Sequence, residues 1–209
     1  HWSLQGSLFR NMKPLQAQPD FVKACKLAPA PIRAQYEQDA AYIDDAQAEI
    51  RQKARACQPY DVFLCHKTTG EGGVKTEDFH RATQLYHFLK DQGMRVFFAP
   101  ESLAAAAGAN YEAGIYHALH TARTMLVVCS KAEYLSSPWV RSEWTRYLEQ
   151  ADRDPSRHLV PLLYDDPPAS SLPPAFVSRQ LEGVHMRGLN ALDNLRSTLE
   201  LHIPRTASD

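Results

Sequence analysis

The sequence predicts an α/β fold, in which a parallel sheet of five strands is covered by helices on both faces and preceded by a helical extension. Three observations lead to this class. Short, continuous apolar runs such as TMLVVCS are typical of strands that are buried on both faces. Amphipathic helical patterns alternate with these runs, as crossover connections between parallel strands require. Residues 1–59, by contrast, are rich in Ala and Gln and poor in strand-forming runs.

The composition is that of a globular protein. The chain has 209 residues, of which 44% are hydrophobic and 22% charged. This is enough for one domain of about 150 residues with an appendage. The net charge of -1 and the lack of a dense Lys/Arg patch argue against nucleic-acid binding. No apolar run reaches the ~18 residues that cross a bilayer, and no secretory signal pattern is seen, so no membrane association is predicted.

The cysteines favour a reducing, cytoplasmic location. They are widely spaced, with neither a CxxC pair nor the nearby histidine pattern of a zinc site, and lie at Cys25, Cys57, Cys65 and Cys129. Cys65 and Cys129 end predicted strands, where a free cysteine usually serves as a small buried hydrophobic residue.

Residues 1–59 are predicted to form a separate helical region, and residues 60–209 the α/β domain. Apolar residues recur at helical spacing from Ile32 to Ile50, which predicts a helix over about Pro31 to Ala56. A shorter helix around Asp20 to Leu27 would complete a helical hairpin.

Two strands, each followed by a helix, open the α/β domain. YDVFLC is the first strand, and the helix after it, over about Glu77 to Gln92, is predicted to end at Gly93. MRVFFA is the second strand. The segment PESLAAAAGAN, with an alanine-rich loop over Ala104–Ala107, then leads to another helix. The apolar side of that helix consists of Tyr111, Ile115, Ala118, Leu119 and Ala122.

The rest of the domain supplies the remaining strands. TMLVVCS is the third, HLVPLLY the fourth and GVHM a short fifth. A proline-rich loop is predicted over Asp165 to Pro174. The last helix, over about Asn190 to His202, is predicted to bury Leu192, Leu195, Leu199 and Ile203.

The helix after the third strand carries the main chemical signal. Ser137 is predicted as its N-cap and Pro138 as its first residue, because the missing N–H of proline costs nothing there. An apolar stripe for packing is formed by Val140, Trp144, Tyr147, Leu148 and Ala151. Trp139 and Glu143, four residues apart, are predicted to project from another face, where an indole and a carboxylate could hold a planar cation. The alternative is that Glu143 is a solvated surface acid.

Ligands of parallel sheets bind beyond the carboxyl ends of the strands. The loops that begin at this edge follow Cys65, Ala99 and Ser130, and the third leads directly to Trp139 and Glu143. The sequence therefore predicts a ligand site at this edge of the sheet.

Several blocks of sequence, in order, resemble a Toll/interleukin-1 receptor (TIR) domain. They are YDVFLCHK, GMRVFFAPESL, GANYEAGI, TMLVVCS and SSPWVRSEW, and they span about Tyr60 to Ile203. The resemblance implies a flavodoxin-like sheet. It also implies one of two functions, because the family contains interaction modules that only associate and enzymes that cleave nicotinamide from NAD+.

The resemblance further implies roles for particular residues. In the enzymatic members the acid lies in a WxxxE motif on the helix after the third strand, which the segment WVRSE at 139–143 matches. Glu143 would then be catalytic, and Trp139 would shape the pocket. Tyr111 matches an aromatic position of such enzymes. His66 and Lys67 match the aromatic and basic pair after the first strand, with histidine where tyrosine is commoner.

One carboxylate is sufficient for this cleavage. Breaking the bond between nicotinamide and ribose develops an oxocarbenium-like sugar, as in glycoside cleavage. Nicotinamide leaves as a neutral molecule, so it needs no general acid. Glu143 would accept a hydrogen bond from a ribose hydroxyl and oppose the positive charge, an effect worth roughly 3 to 4 kcal/mol when preorganised. Tyr111 and Trp139 could stack on nicotinamide or adenine; the alternative for Tyr111 is a core residue at a helix start.

Weaker candidates complete the predicted site. Lys67 and the loop Gly70–Gly73 could meet the pyrophosphate, but neither a GxGxxG nor a GxxxxGK[ST] pattern is present, and a solvated loop is the alternative. Ser102 is a candidate polar contact. His117 and His120 are predicted as surface histidines, because no third ligand or HExxH spacing accompanies them. No metal and no cofactor is predicted, with NAD+ as the substrate.

The predicted function is that of a NAD+ nucleosidase or cyclase, which releases nicotinamide and either ADP-ribose or a cyclic ADP-ribose. For prokaryotic members the resemblance implies antiphage defence or signalling. Homotypic self-association is expected. One alternative is a TIR interaction module without chemistry, and another is an enzyme on a similar sheet that cuts a different N-glycosidic bond.

Overall fold

The computed structural model describes residues 19–56, 59–104 and 111–203. The chain divides into two units, His1–Cys57 and Gln58–Asp209. The described part of the first unit consists of helices α1 (Pro19–Leu27) and α2 (Ala30–Ala56), where helices were predicted. Among the described residues, every helix is too short or too polar to cross a membrane.

The second unit is built on a sheet of five parallel strands, as predicted. The strands are β1 (Val62–Cys65), β2 (Val96–Phe97), β3 (Thr124–Cys129), β4 (His158–Leu163) and β5 (Val184–His185). Their order is β2-β1-β3-β4-β5. After β1 the chain adds β2 on one side of that strand and then crosses to add β3 on the other side. The carboxyl ends of β1 and β3 therefore form the switch point where ligands of such sheets bind.

Helices cover both faces of the sheet. They are α3 (Glu77–Asp91), α4 (Ala99–Ala104), α5 (Tyr111–Thr121), α6 (Pro138–Ala151), α7 (Pro174–Ser178) and α8 (Ala191–His202). Because side chains alternate along a strand, Phe63 and Cys65 of β1 pack with α5 and α6, whereas Val62 and Leu64 pack with α3 and α8. Two apolar cores result, one on each face.

The largest difference from the prediction lies at β2 and α4. The predicted strand MRVFFA is reduced to two residues, and a helix begins at Ala99 where a loop was predicted. Pro100 falls in the first helical turn, where its missing N–H costs nothing, and alanine has the highest helix propensity. The remainder of the predicted alanine-rich loop, after Ala104, lies outside the described residues.

Smaller differences occur near the carboxyl end. The predicted proline-rich loop contains a 3-10 turn, Ala169–Ser171. In α8 the buried row is Ala191, Leu195 and Leu199, which are spaced four apart. Leu192 was predicted to be in the core, but it is 44% exposed because Ala191 occupies the buried position in that turn.

Candidate functional site

Helix α6 is fixed to the core by two polar anchors. The indole N–H of Trp144 donates to the carbonyl of Leu135 at 2.9 Å, and the hydroxyl of Tyr147 donates to the carbonyl of Arg123 at 2.6 Å. The helix begins at Pro138, as predicted. Ser137 occupies the N-cap position, as predicted, but its hydroxyl donates to the Tyr134 carbonyl at 2.8 Å and makes no capping hydrogen bond.

Glu143 is buried, with 8% of its surface exposed. The prediction that it projects from a face separate from the apolar stripe is therefore wrong. It lies three residues after Val140 and four before Tyr147, both buried, so it falls on the edge of the packed face. Trp139, one turn earlier, is 45% exposed and forms the outer wall of the same site.

Two polar groups face the Glu143 carboxylate. They are the thiol of Cys65 and the indole N–H of Trp139, and both favour its ionised form. Cys65 is fully buried at the carboxyl end of β1, and its Sγ lies 3.8 Å from the carbonyl oxygen of Val140. The acid is thus fixed between the helix that carries it and the strand beside the switch point.

The charge of Glu143 is balanced between opposing effects. Burial raises the pKa of its carboxyl from 4.5 to about 7, because an ionised group loses its hydration in the protein interior. The hydrogen bonds from Cys65 and Trp139 and the positive charge of Arg146 act in the opposite direction. Burial, followed by the neighbouring Glu143, raises the pKa of the Cys65 thiol well above its usual range, so this thiol stays neutral and acts as a donor.

A narrow cleft between α5 and α6 reaches the carboxylate. Its walls are Ile115, Tyr116, Leu119, Trp139, Ser142, Glu143 and Arg146. The Arg146 guanidinium lies 4.6 Å from the centroid of the Tyr116 ring. The free volume is only about 10 Å³, which is room for at most one water molecule. A nicotinamide ring can enter only if a wall residue moves.

The predicted partner His66 lies on the other face of the sheet. It is buried, and its ring packs against Phe98 and Phe79 with centroids 5.2 and 6.1 Å away. These phenylalanines belong to the core of α3 and α8, whereas Cys65 and Glu143 belong to the opposite face. Burial lowers the pKa of the His66 imidazole to about 4, so the ring is neutral at physiological pH. The structure does not bring His66 and Glu143 together.

Lys67 is held through its backbone, and its side chain is half-buried. The Thr76 hydroxyl donates to the Lys67 carbonyl. The backbone N–H of Lys67 lies beside the carboxylate of Asp78, in the first turn of α3. Asp78 also accepts a hydrogen bond of 2.7 Å from the Ser130 N–H.

Asp78 and Cys65 were both missed as polar members of the site. An acid in the first turn of a helix is common enough that nothing in the sequence marks Asp78 as buried. Cys65 was predicted only to fill space. A signal was nevertheless available for Cys65, because it ends β1 at the edge where the ligand site was predicted.

Two further predicted contacts are only partly described. Ser102 lies within α4, not in a loop, and its hydroxyl accepts a hydrogen bond of 3.0 Å from the backbone N–H of Phe98. It therefore helps to start the helix. Tyr111 is the first residue of α5, but its side chain lies outside the described residues.

The two histidines of α5 are half-buried and not the surface residues predicted. The ring of His117 lies 6.2 Å from that of Tyr60, and burial lowers the pKa of its imidazole. Within the described ranges no group of His, Cys, Asp and Glu side chains could hold a metal ion.

Larger clefts open elsewhere in this unit. One of about 650 Å³ lies at the amino ends of β4 and β5, and one of about 540 Å³ lies beyond the carboxyl ends of β3, β4 and β5. Neither is lined by Glu143, Trp139, His66, Lys67 or Ser102. Size alone therefore does not identify the site, and the shielded carboxylate beside the switch point is the stronger chemical feature.

Comparisons with known proteins identify the family of this domain. The family model for the TIR domain matches residues 62–199. No curated protein matches the sequence. Among solved structures, the chain is similar to the TIR domain of the Toll-related receptor TRR-2 from Hydra magnipapillata, with 17% identity and a TM-score of 0.48, over 68% of this chain and 98% of that one. Because the family model extends from β1 into α8 and spans well over half of the sequence, the protein belongs to the TIR-domain family.

Proposed function

We propose that this TIR domain cleaves the bond between nicotinamide and ribose in NAD+, with Glu143 as the catalytic residue. The observation that carries the proposal is the position of that carboxylate. It is buried at the carboxyl end of β1, where the Cys65 thiol and the Trp139 indole face it and favour its ionised form. The TIR family includes both signalling domains and NAD+-cleaving enzymes, so family membership alone does not decide between them.

Burial supports the proposed chemistry. A carboxylate removed from water interacts more strongly with a developing positive charge than a solvated one does. As the nicotinamide leaves, the ribose becomes oxocarbenium-like, and the ionised Glu143 would stabilise it and accept a hydrogen bond from a ribose hydroxyl. Trp139 would stack on a ring of the substrate. NAD+ would be the substrate, with no further cofactor.

The narrow cleft requires a change of shape for binding. With about 10 Å³ free, the site admits NAD+ only after a wall residue moves. Trp139 is the wall residue with the most freedom, since it is 45% exposed. TIR domains generally self-associate, and a second copy seated on this wall would move the indole and complete the pocket.

The product and the biological setting are parts of the same proposal. Water at the anomeric carbon would give ADP-ribose, and an adenine nitrogen would give a cyclic product. The proposed setting is the cytoplasm of a prokaryotic cell, where consuming NAD+ or releasing a cyclic signal would act in antiphage defence. The support for this setting is the resemblance of the WVRSE segment and its surroundings to NAD+-cleaving members.

The test is nicotinamide release, followed by chromatography, from wild-type protein and two variants. Glu143→Ala is expected to reduce release by at least about a hundredfold, the usual scale for loss of one preorganised electrostatic contact. Glu149→Ala, on the same helix but outside the cleft lining, is the matched control and should keep wild-type activity. The assays are run both in dilute solution and with a crowding agent, because activity that requires self-association would be seen only under crowding. Equal activity in Glu143→Ala would remove this residue from the mechanism.

The second candidate is a TIR interaction module without chemistry. The closed cleft favours it, because a protein that only associates needs no room beside Glu143. Wild-type protein that self-associates but releases no nicotinamide, with or without crowding, would support this function. Release from another nucleoside but not from NAD+ would instead support an enzyme that cuts a different N-glycosidic bond.

A further inference from the structure

The first turn of α3 connects the two loops that flank the switch point. Asp78 is fully buried, and its Oδ1 accepts the 2.7 Å hydrogen bond from the N–H of Ser130, the residue directly after β3. The N–H of Lys67, two residues after β1, lies beside the same carboxylate. Thr76 adds a hydrogen bond from its hydroxyl to the Lys67 carbonyl and one of 3.2 Å from its N–H to the Thr68 carbonyl.

We propose that Asp78 is a positioning residue, which holds the loop after β1 and the loop after β3 at a fixed separation across the switch point. The catalytic consequence rests on the proposed function, because the first loop carries Lys67 and the second leads into the helix of Glu143. Asp78 is not one of the residues that line the cleft. It would act only by fixing the distance between a binding group and the catalytic group.

A residue that only stabilised the fold between these two loops would not need to carry the charge of Asp78. Burying a carboxylate costs several kcal/mol unless hydrogen bonds compensate, and apolar replacements of buried charges are often stabilising. Among the described residues, Oδ2 of Asp78 and the hydroxyl of Ser130 have no hydrogen-bond partner in good geometry. The carboxylate is thus only partly satisfied, and the contacts it does make are to the backbones of the two loops.

The surroundings of Asp78 make its ionisation easy to observe. Burial raises the pKa of its carboxyl to about 6, while the contacts with Ser130 and Lys67 oppose this shift and Glu77 adds to it. The other titratable groups that face it are Cys65, Cys129 and Tyr164, which end or follow β1, β3 and β4. Burial raises the pKa of the Cys129 thiol and the Tyr164 hydroxyl to about 12, and that of the Cys65 thiol well above its usual range. All three stay neutral while Asp78 titrates.

The test is a pH titration of the full ¹⁵N-labelled chain, followed by NMR of the backbone amides from about pH 5 to 8. The signals of Ser130 and Lys67 are expected to shift together with one midpoint near pH 6. Asp78→Asn should abolish both shifts, and the matched control Glu77→Gln, at the exposed neighbouring acid, should keep them. Different midpoints for the two amides, or a Ser130 shift that persists in Asp78→Asn, would overturn the proposal. The comparison of the Ser130 and Lys67 midpoints uses wild-type protein alone, so it tests the proposal even if Asp78→Asn does not fold.

Nicotinamide release provides the second part of the test. In folded Asp78→Asn protein, kcat is expected to fall about tenfold and KM to rise about threefold or more, because both loops are displaced. A loss of folded protein alone would lower the apparent kcat and leave KM unchanged. An unchanged KM would therefore count against positioning. Wild-type protein that releases no nicotinamide either in dilute solution or with a crowding agent would refute the proposed function, and the amide titration would still decide whether Asp78 holds the loops.

Discussion

The protonation of Glu143 determines how the proposed activity depends on pH. The ionised form is needed to oppose a positive charge, and the pKa of this carboxyl is about 7. Activity should therefore be low at acidic pH and rise through a midpoint near pH 7. Cys65→Ala removes a donor to the ionised form, so it should move the midpoint upwards. The check is the pH profile of kcat/KM for nicotinamide release, which reports the ionisation of groups in the free enzyme.

Two matched variants make this prediction specific to the Cys65 contact. Cys65→Ser keeps a donor at the same place and should keep a midpoint near that of the wild type or below it. Cys129→Ala removes the equivalent buried thiol at the end of β3, which does not contact Glu143, and should leave the midpoint unchanged. A Cys65→Ala profile that coincides with the wild type would show that the thiol does not influence the acid.

The exposed indole of Trp139 gives the second prediction at this scale. Trp139→Ala should reduce kcat/KM about tenfold or more, because stacking on an aromatic ring is worth 1 to 3 kcal/mol per base. The ratio of hydrolysed to cyclic product should also change. Tyr42→Ala, at an exposed aromatic residue of α2, is the control for loss of a surface ring. An unchanged rate and product ratio in Trp139→Ala would mean that the indole is structural.

The sequence predicted the relative placement of Trp139 and Glu143 better than their environment. The spacing of Trp139 and Glu143 is sufficient to place them one helical turn apart, and this holds. The burial of Glu143 could not be deduced in this way, because a residue at the edge of an apolar stripe is buried or solvated according to what packs beside it. The neighbour here is Cys65, from a strand far away in the chain. The face of the sheet on which His66 lies could not be deduced either. It depends on which face of β1 the side chain of Cys65, the last strand residue, occupies.

Helix capping gives a prediction at the scale of elements. Thr76 caps α3 by accepting a hydrogen bond of 3.2 Å from the N–H of Phe79, and its hydroxyl also donates to Lys67. Thr76→Ala should lower the free energy of unfolding by about 1 to 2 kcal/mol. Ser137→Ala should cost clearly less, because Ser137 makes no capping hydrogen bond to α6. Urea denaturation of both variants is the measurement, and equal losses would contradict the assignment of caps.

Most helices and strands were predictable from the hydrophobic periodicity and from the residues that begin or end an element. Gly93 was predicted to stop α3, and it has a positive φ of 79° and donates its N–H to the Lys90 carbonyl. Ser137 shows the limit of such rules, since its type and position suit an N-cap but its hydroxyl is already engaged with Tyr134. At β2 a four-residue apolar core in the run MRVFFA was not enough to predict length, because pairing with β1 ends at Phe97.

At the scale of the whole molecule, the sheet order brings distant segments into one place. The adjacency of β1 and β3 places Cys65, Lys67 and Ser130 around the switch point, although β2 and the three helices α3, α4 and α5 lie between Lys67 and Ser130 in the chain. The alternation of strands and helices predicts a parallel sheet but not the order of its strands. The resemblance to TIR domains implied a flavodoxin-like sheet, and the observed order β2-β1-β3-β4-β5 is the order of such sheets.

The helical unit leads to the last prediction, which concerns assembly. Helices α1 and α2 carry exposed large apolar side chains, namely Val22, Leu27, Ile32, Tyr36 and Tyr42. Exposed apolar groups of this kind favour association between copies. Deleting residues 1–57, so that the chain starts at Gln58, should therefore lower the number of chains per assembly, which is the mass from light scattering divided by the mass of one chain. If association completes the pocket, nicotinamide release per molecule should fall as well. Glu143→Ala in the undeleted chain is the control, because it should keep the wild-type number of chains per assembly without activity. An unchanged number of chains per assembly after the deletion would contradict a role for this unit in assembly.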